Sequence, residues 1–257
     1  MLTEIKAIIK NNLASLFWRM VRSVVRVDIA PPPQGNVVVI APHPDDETFA
    51  CGATIARLRA QETKTHIIIV SDGSAATCAK GQTPKELAKI RKQEARAAAQ
   101  ALGVPDSDVS FLGFQDGELY KSEKAVAFAL NEALASLSPS LIFAPHKLDA
   151  HPDHRLVAEI MDKLPLKCVC YRYLTWVPVR GFFGALLELA THERQIRIPM
   201  RRHKERKILA IDCYPSQTGG MKYQENKGFL PPSFIGLFLQ EDEVFFMKPN
   251  PPLPPAG

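Results

Sequence analysis

The sequence predicts an α/β, Rossmann-like fold: a mainly parallel sheet flanked by helices, with a metal site at the carboxyl-terminal edge of the strands. Three observations carry this expectation. Short β-branched runs alternate with long helical patterns, as in βαβ units. Two of those runs, Asn36-Val37-Val38-Val39-Ile40 and Leu141-Ile142-Phe143-Ala144-Pro145, each lead into a dense cluster of histidine and aspartate. The chain has 257 residues, 46% of them hydrophobic and 23% charged, which suits one ordinary globular domain.

The first 33 residues read as a basic amphipathic helix and a proline linker. Ile5, Ile9, Leu13, Leu16, Phe17, Met20, Val21 and Val24 recur at helical spacing. Lys6, Lys10, Arg19, Arg22 and Arg26 take other positions, against Glu4 and Asp28 only. These charges rule out a signal peptide or a membrane span. Such a helix suits peripheral contact of residues 1–30 with an anionic membrane, or packing on its own domain or on a second subunit. Pro31-Pro32-Pro33 punctuates its end.

Next come a buried strand over Val37 to Ala41, a helix over Thr48 to Gln61 and a strand over His66 to Val70 that ends at Ser71-Asp72-Gly73. A helix from Pro84 to Leu102, a strand at Val109 to Leu112, a helix from Ser122 to Leu137 and the strand Leu141 to Ala144 continue the alternation. Further on, Cys168 to Trp176 and Val244 to Met247 read as strands and Phe182 to Ala190 as a helix. The main domain is expected over 34–248, and 249–257 as a proline-rich extended tail. No GxGxxG, no P-loop and no internal repeat is present, so dinucleotide and P-loop versions of the architecture lose support.

The formal net charge of +5 is too small for a dedicated nucleic-acid binder. Five scattered cysteines give neither a disulfide framework nor a thiolate zinc site, which points to the cytoplasm, with the inner membrane face as the variant if the leader binds lipid. The sequence does not set the oligomeric state.

In open parallel sheets ligands sit outside the carboxyl ends of the strands. His43, Asp45, Asp46, Asp72, Asp116, His151 and His154 all follow predicted strands on that edge. A catalytic zinc keeps three protein ligands and one open position. His43, Asp46 and His154 supply two imidazoles and a carboxylate for Zn2+, and such a set also accepts other divalent metals. Asp45 is then free to act as general base, His151 to stabilise an oxyanion or protonate a leaving nitrogen, and Asp153 to orient the His151 ring. His66, His146, His192 and His203 are expected to be structural or exposed.

Ala41-Pro42-His43-Pro44-Asp45-Asp46-Glu47 together with His151-Pro152-Asp153-His154 resembles the PIG-L/LmbE-like superfamily of zinc-dependent N-deacetylases. The resemblance implies His43, Asp46 and His154 as zinc ligands, Asp45 as base, and His151 as electrophilic or acid partner. It spans Asn36 to Gln217 and implies an N-acetylated sugar or sugar conjugate as substrate, lipid-linked in some members. It also makes Arg91, in Arg91-x-x-Glu94, and Asp116, in Phe114-Gln115-Asp116-Gly117, contacts to sugar hydroxyls. Their bland alternatives are a helix-surface ion pair of Arg91 with Glu94 and a turn aspartate. Where many relatives carry His-x-Ser-Gln, this chain has Tyr214-Pro215-Ser216-Gln217. An amidase of a thiol-sugar conjugate, a metal phosphoesterase, and a metal-containing binding or scaffold protein are the competing functions.

Overall fold

The computed structural model describes residues 2–25, 27–28, 35–76, 78, 81–177, 181–219 and 230–247. The expected proline linker and the tail at 249–257 lie outside these residues. Among them, no helix is long and apolar enough to cross a membrane.

Helix α1 (Leu2–Val24) and a two-residue strand β1 (Val27–Asp28) precede the alternating core. The core runs β2 (Val37–Ala41), α2 (Asp46–Ala60), β3 (Thr65–Ser71), α3 (Pro84–Ala101), β4 (Val109–Phe114), α4 (Glu123–Leu137), β5 (Leu141–Pro145), α5 (Pro152–Lys163) and β6 (Val169–Tyr173). It continues through α6 (Phe182–His192), β7 (Arg194–Pro199), α7 (Lys204–Ile211), short helices α8 (Pro215–Thr218) and α9 (Pro232–Leu237), and β8 (Asp242–Met247). The strands form one eight-stranded sheet in the order β1-β7-β8-β6-β5-β2-β3-β4. All neighbours are parallel except β8, which runs against both β6 and β7. The expected mainly parallel α/β architecture is therefore what the chain adopts.

Strand residues alternate between two cores. Val37, Val39 and Ala41 pack with α2 and α3, while Val38 and Ile40 pack with Val126 and Leu130 of α4 and Val157 of α5. Because both faces are covered, β2, β3 and β5 are buried along their whole length, and each reads as an unbroken apolar run. Helix starts are set locally. Thr83 and Glu86 close a capping box at α3 with Pro84 in the first turn, and Pro152 opens α5 behind an N-cap at His151.

The order reverses at β2, whose neighbours are β5 on one side and β3 on the other. A cleft opens at such a switch point, and both histidine-aspartate loops end there.

Three features of the later and flanking segments are set by tertiary packing. The run containing Arg194 and Arg197 forms strand β7, paired along its length with β8. Lys207 in α7 is drawn into the interior. It is fully buried and its Nζ donates to Glu243 Oε1 at 2.7 Å, while the Glu243 carboxylate accepts the backbone N–H groups of Ala53 and Thr54 in α2. A Cβ at Gly52 would lie 3.0 Å from Lys207 Cγ, so the glycine lets α7 approach this closely. For α1 the structure takes one of the expected arrangements: Phe17 and Val21 have no exposure and pack with Phe182, Leu186 and Leu189 of α6, so this stripe faces the protein itself.

Candidate metal centre

Three donor atoms meet where β2 and β5 end. His43 Nδ1 lies 3.2 Å from Asp46 Oδ2 and 3.1 Å from His154 Nε2, and His154 Nε2 lies 3.1 Å from Asp46 Oδ2. Ligands at about 2.0–2.1 Å from a tetrahedral zinc stand about 3.3 Å apart, so this triangle is the size of one face of a coordination tetrahedron. Two imidazole nitrogens converging on one carboxylate oxygen is an arrangement that a divalent cation explains. The set fits the metal that the sequence called for. His151 also brings a ring nitrogen within 4.8 Å of ligand atoms of His43 and His154, but the tighter triangle is the one with Asp46.

The far nitrogens of both imidazoles face carboxylates, the usual outer support of metal-bound histidine. His43 Nε2 lies 3.0 Å from Asp116 Oδ1 and 3.3 Å from Asp153 Oδ2. His154 Nδ1 lies 3.3 Å from Asp149 Oδ2. Burial alone would lower both histidine pKa values. Asp116, Asp153 and Asp46 outweigh it and hold His43 well above its ordinary range, while Asp46 and Asp149 hold His154 up at about 9.

This has a measurable sign. In metal-free protein, protonated His154 contributes stability that is fully present below its ordinary 6.5 and is lost as pH rises through about 9. A cation must displace that proton. Calorimetric titration of metal-free protein with zinc in buffers of different ionisation enthalpy will therefore show proton release near neutral pH, and affinity will climb as pH rises towards 9. Affinity independent of pH over that range would contradict the ligand set.

Asp45 stands apart from the triangle. Its backbone, at φ 131° and ψ −27°, occupies a region that non-glycine residues rarely adopt, which turns the side chain away from its neighbour Asp46. Its carboxylate accepts from Arg91 Nη2 at 2.9 Å. Burial pushes the Asp45 carboxyl up to about 8, against the pull of Arg91. A cation in the triangle acts with Arg91 to favour the ionised form.

Arg91 and Asp116, which the resemblance implied as sugar contacts, line the cavity over the triangle, yet neither is a loose surface group. Arg91 is 3% exposed. Its guanidinium is engaged by Asp45, by the carbonyl oxygens of Pro44 and Gly73, and at 3.8 Å by Asp116. Gly73, at φ +73°, leaves room for this: a Cβ there would come within 2.8 Å of Arg91 Cδ. Asp116 holds His43 and accepts the Ala75 N–H at 3.1 Å. Nor is there a surface pair of Arg91 with Glu94, because Glu94 is buried and its carboxylate accepts both the N–H and the hydroxyl of Ser216. Asp153 also differs from expectation. Its carboxylate bonds to His43 and to the Gly117 N–H at 2.8 Å, and it is the Asp153 backbone N–H, donating to His151 Nδ1 at 3.2 Å, that orients the His151 ring. His151 is consequently neutral with its proton on Nε2. Burial, then the nearby His43 and His154, lower its pKa to about 4.

Two supporting groups escaped the sequence reading. Asp149 is buried and accepts the N–H groups of His151, Thr175 and Trp176 while facing His154. Glu47 accepts from the Tyr214 hydroxyl, from Thr48 and from the Asp45 N–H, so Tyr214 braces the Asp45 turn from behind. A cavity of about 280 Å³ opens over the triangle; Asp45 and His151 border it on the polar side, and Trp176, stacked on Phe234 at 4.6 Å, on the other. His146, the other histidine that follows a strand, is buried 3.5 Å from Glu193 and borders a different cavity.

A mainly parallel α/β sheet with a His/Asp ligand set at its carboxyl edge defines a metal-dependent enzyme of the open-sheet type. Comparison with known proteins narrows the class. Residues 38–164 match the family described as PIG-L, GlcNAc-PI de-N-acetylase. The chain is 30% identical over 230 residues to diacetylchitobiose deacetylase of Thermococcus kodakarensis, an alignment covering 78% of this chain and 85% of that protein. It is 30% identical over 143 residues to a probable N-acetyl-alpha-D-glucosaminyl L-malate deacetylase 2 of Bacillus cereus, covering 51% of this chain but 62% of that relative, less than two thirds of its length. Among solved structures, a triple mutant of the Orf2 deacetylase of the teicoplanin biosynthetic pathway shares the fold at TM-score 0.62 and 18% identity, over 82% of this chain and 97% of that one. The chain belongs to the PIG-L/LmbE-like family of metal-dependent N-deacetylases.

Proposed function

We propose that this protein is a zinc-dependent hydrolase that removes the acetyl group from an N-acetylglucosamine-type conjugate, leaving acetate and a free amine. The observation that carries the reading is the triangle of His43, Asp46 and His154 with a buried carboxylate, Asp45, held beside it by Arg91 but outside the ligand set. The relatives named above supply the substrate class, since their names specify deacetylases of N-acetylglucosaminyl malate and of diacetylchitobiose.

When bound, the divalent cation supplies Lewis acidity at the open face of the triangle. Asp45 accepts a proton from the water that attacks the acetyl carbonyl carbon, and returns it to the nitrogen as the carbon–nitrogen bond breaks. His151 keeps its Nε2–H free to donate to the carbonyl oxygen as negative charge develops there. Its low pKa keeps the ring neutral near pH 7, so it stabilises the developing charge by hydrogen bonding through Nε2–H. Asp116 and Asp153 keep His43 turned towards the triangle, and Asp149 does the same for His154.

Incubation with N-acetylglucosamine conjugates is expected to release acetate and primary amine in equal amounts. Chelation should stop the release and added zinc should restore it. Release that survives complete metal removal would overturn the proposal. An amine without acetate would redirect it to an amidase of a larger acyl conjugate.

A further inference from the structure

Helix α1 has more apolar surface than its packing on the domain uses. Ala14, Phe17 and Val21 form the buried stripe. A second stripe, Ile9, Leu13 and Leu16, repeats at i, i+4 and i+7 about 100° round the helix and stays open, with Ile9 53% and Leu16 39% exposed. Helix α6 has the same division. Phe182, Ala185, Leu186 and Leu189 face inward, whereas Phe183 and Leu187, four residues apart on one face, are 75% and 64% exposed. The two helices meet through Phe17 and Phe182, whose rings lie 5.3 Å apart edge to face. Between them runs a groove of about 410 Å³ lined by Leu13, Leu16, Gly181, Phe182, Phe183 and Gly184, with no ionisable side chain among these six.

We propose that this α1/α6 face docks on an anionic lipid surface, with Ile9, Leu16, Phe183 and Leu187 entering the boundary between headgroups and acyl chains. Charge selects this occupant. The sequence of α1 holds Lys6, Lys10, Arg19 and Arg22 against the single acid Glu4; Arg22 is paired with Asp242, while Arg19 is exposed, with Asn12 and Ser15, on the side away from the buried stripe. A cation-rich helix with an open apolar stripe has the composition of a helix lying in an anionic interface. A second copy of this chain is a poor match, since its net charge is +5 and pairing α1 with α1 sets cation against cation. The face also adjoins the catalytic cavity. Leu174 and Val177 share the apolar cluster of α1 and α6, and between them in the chain Trp176 forms a wall of that cavity. Docking thus brings one rim of the cavity towards the lipid surface.

This inference stands apart from the deacetylase reading, because its readout is binding and not turnover. The test is co-sedimentation of the full chain with vesicles of phosphatidylcholine alone and of phosphatidylcholine mixed with phosphatidylglycerol, at low and high salt. The protein should pellet with the anionic vesicles, weakly with the neutral ones, and less as salt rises. Phe183→Ser with Leu187→Ser should reduce partitioning about tenfold or more, from the apolar area withdrawn. Tyr120→Ser with Phe128→Ser, at exposed positions on other segments, should leave it unchanged. All four substituted positions, test and control, are exposed, and unchanged circular dichroism confirms folding. Absence of vesicle binding overturns the proposal. So does equal binding by the Phe183/Leu187 variant, or a lipid-independent dimer that this variant abolishes while vesicle binding is absent.

Discussion

Asp45→Asn should lower acetate release by about 10²- to 10⁴-fold, the range that a lost general base usually costs. The metal should stay, because Asp45 is outside the His43–Asp46–His154 triangle and an amide oxygen can still accept from Arg91. Stability should move the other way. Burial lifts the Asp45 pKa from an ordinary 3.8 to about 8, so in metal-free protein the stability present below 3.8 is lost as pH rises towards 8. Asparagine removes that dependence, and the metal-free variant should unfold at higher denaturant concentration than the parent near neutral pH. Acetate assay, metal analysis and denaturation read out the three parts separately. Full activity in the variant removes Asp45 from the proton-transfer role, whereas loss of metal shows it to be a ligand.

Arg91→Leu should have the second large effect, on stability and turnover together. It strips the only cationic side chain hydrogen-bonded to Asp45 among the described residues and leaves the carbonyl oxygens of Pro44 and Gly73 without their donor. Breaking a buried pair by removing one partner typically costs about 3–5 kcal/mol. Arg91→Lys should rescue little, since one ammonium cannot reproduce a planar fork that reaches three acceptors at once. Adding Asp45→Asn to Arg91→Leu should recover part of the stability and none of the activity, a coupling that a double-mutant cycle measures. If Arg91→Leu unfolds within about 0.5 kcal/mol of the parent, as an ordinary surface substitution would, the positioning role fails.

The parts of the fold that were legible in sequence are those where burial leaves one mark. Strands β2, β3 and β5 are covered on both faces, and unbroken β-branched runs follow from that. Strand β7 was hidden. Its Arg197 is tolerated because it donates to Gln195 of the same strand and to the carbonyl of Arg22, a contact supplied by a helix far away in the sequence. At the site, the histidine-aspartate motifs named the triangle, but the partners of each carboxylate depend on how the loops cross. Arg91 and Glu94 did leave a signal: with Leu87, Ala95 and Ala98 they share the buried face of α3, where a solvent-exposed ion pair has no place. Asp149 left none, since an isolated aspartate in a loop has no periodicity to betray it.

Asp149 has a consequence for how this protein can diversify. One carboxylate anchors both the backbone of Thr175 and Trp176 and the ring of His154. Reshaping that bank of the cleft to admit a different guest therefore disturbs the ion's grip at the same stroke. Altered preference is more readily reached from the opposite bank, around Ala75, Ala76 and Leu230, where apolar side chains border the opening without a hydrogen bond to His43 or His154.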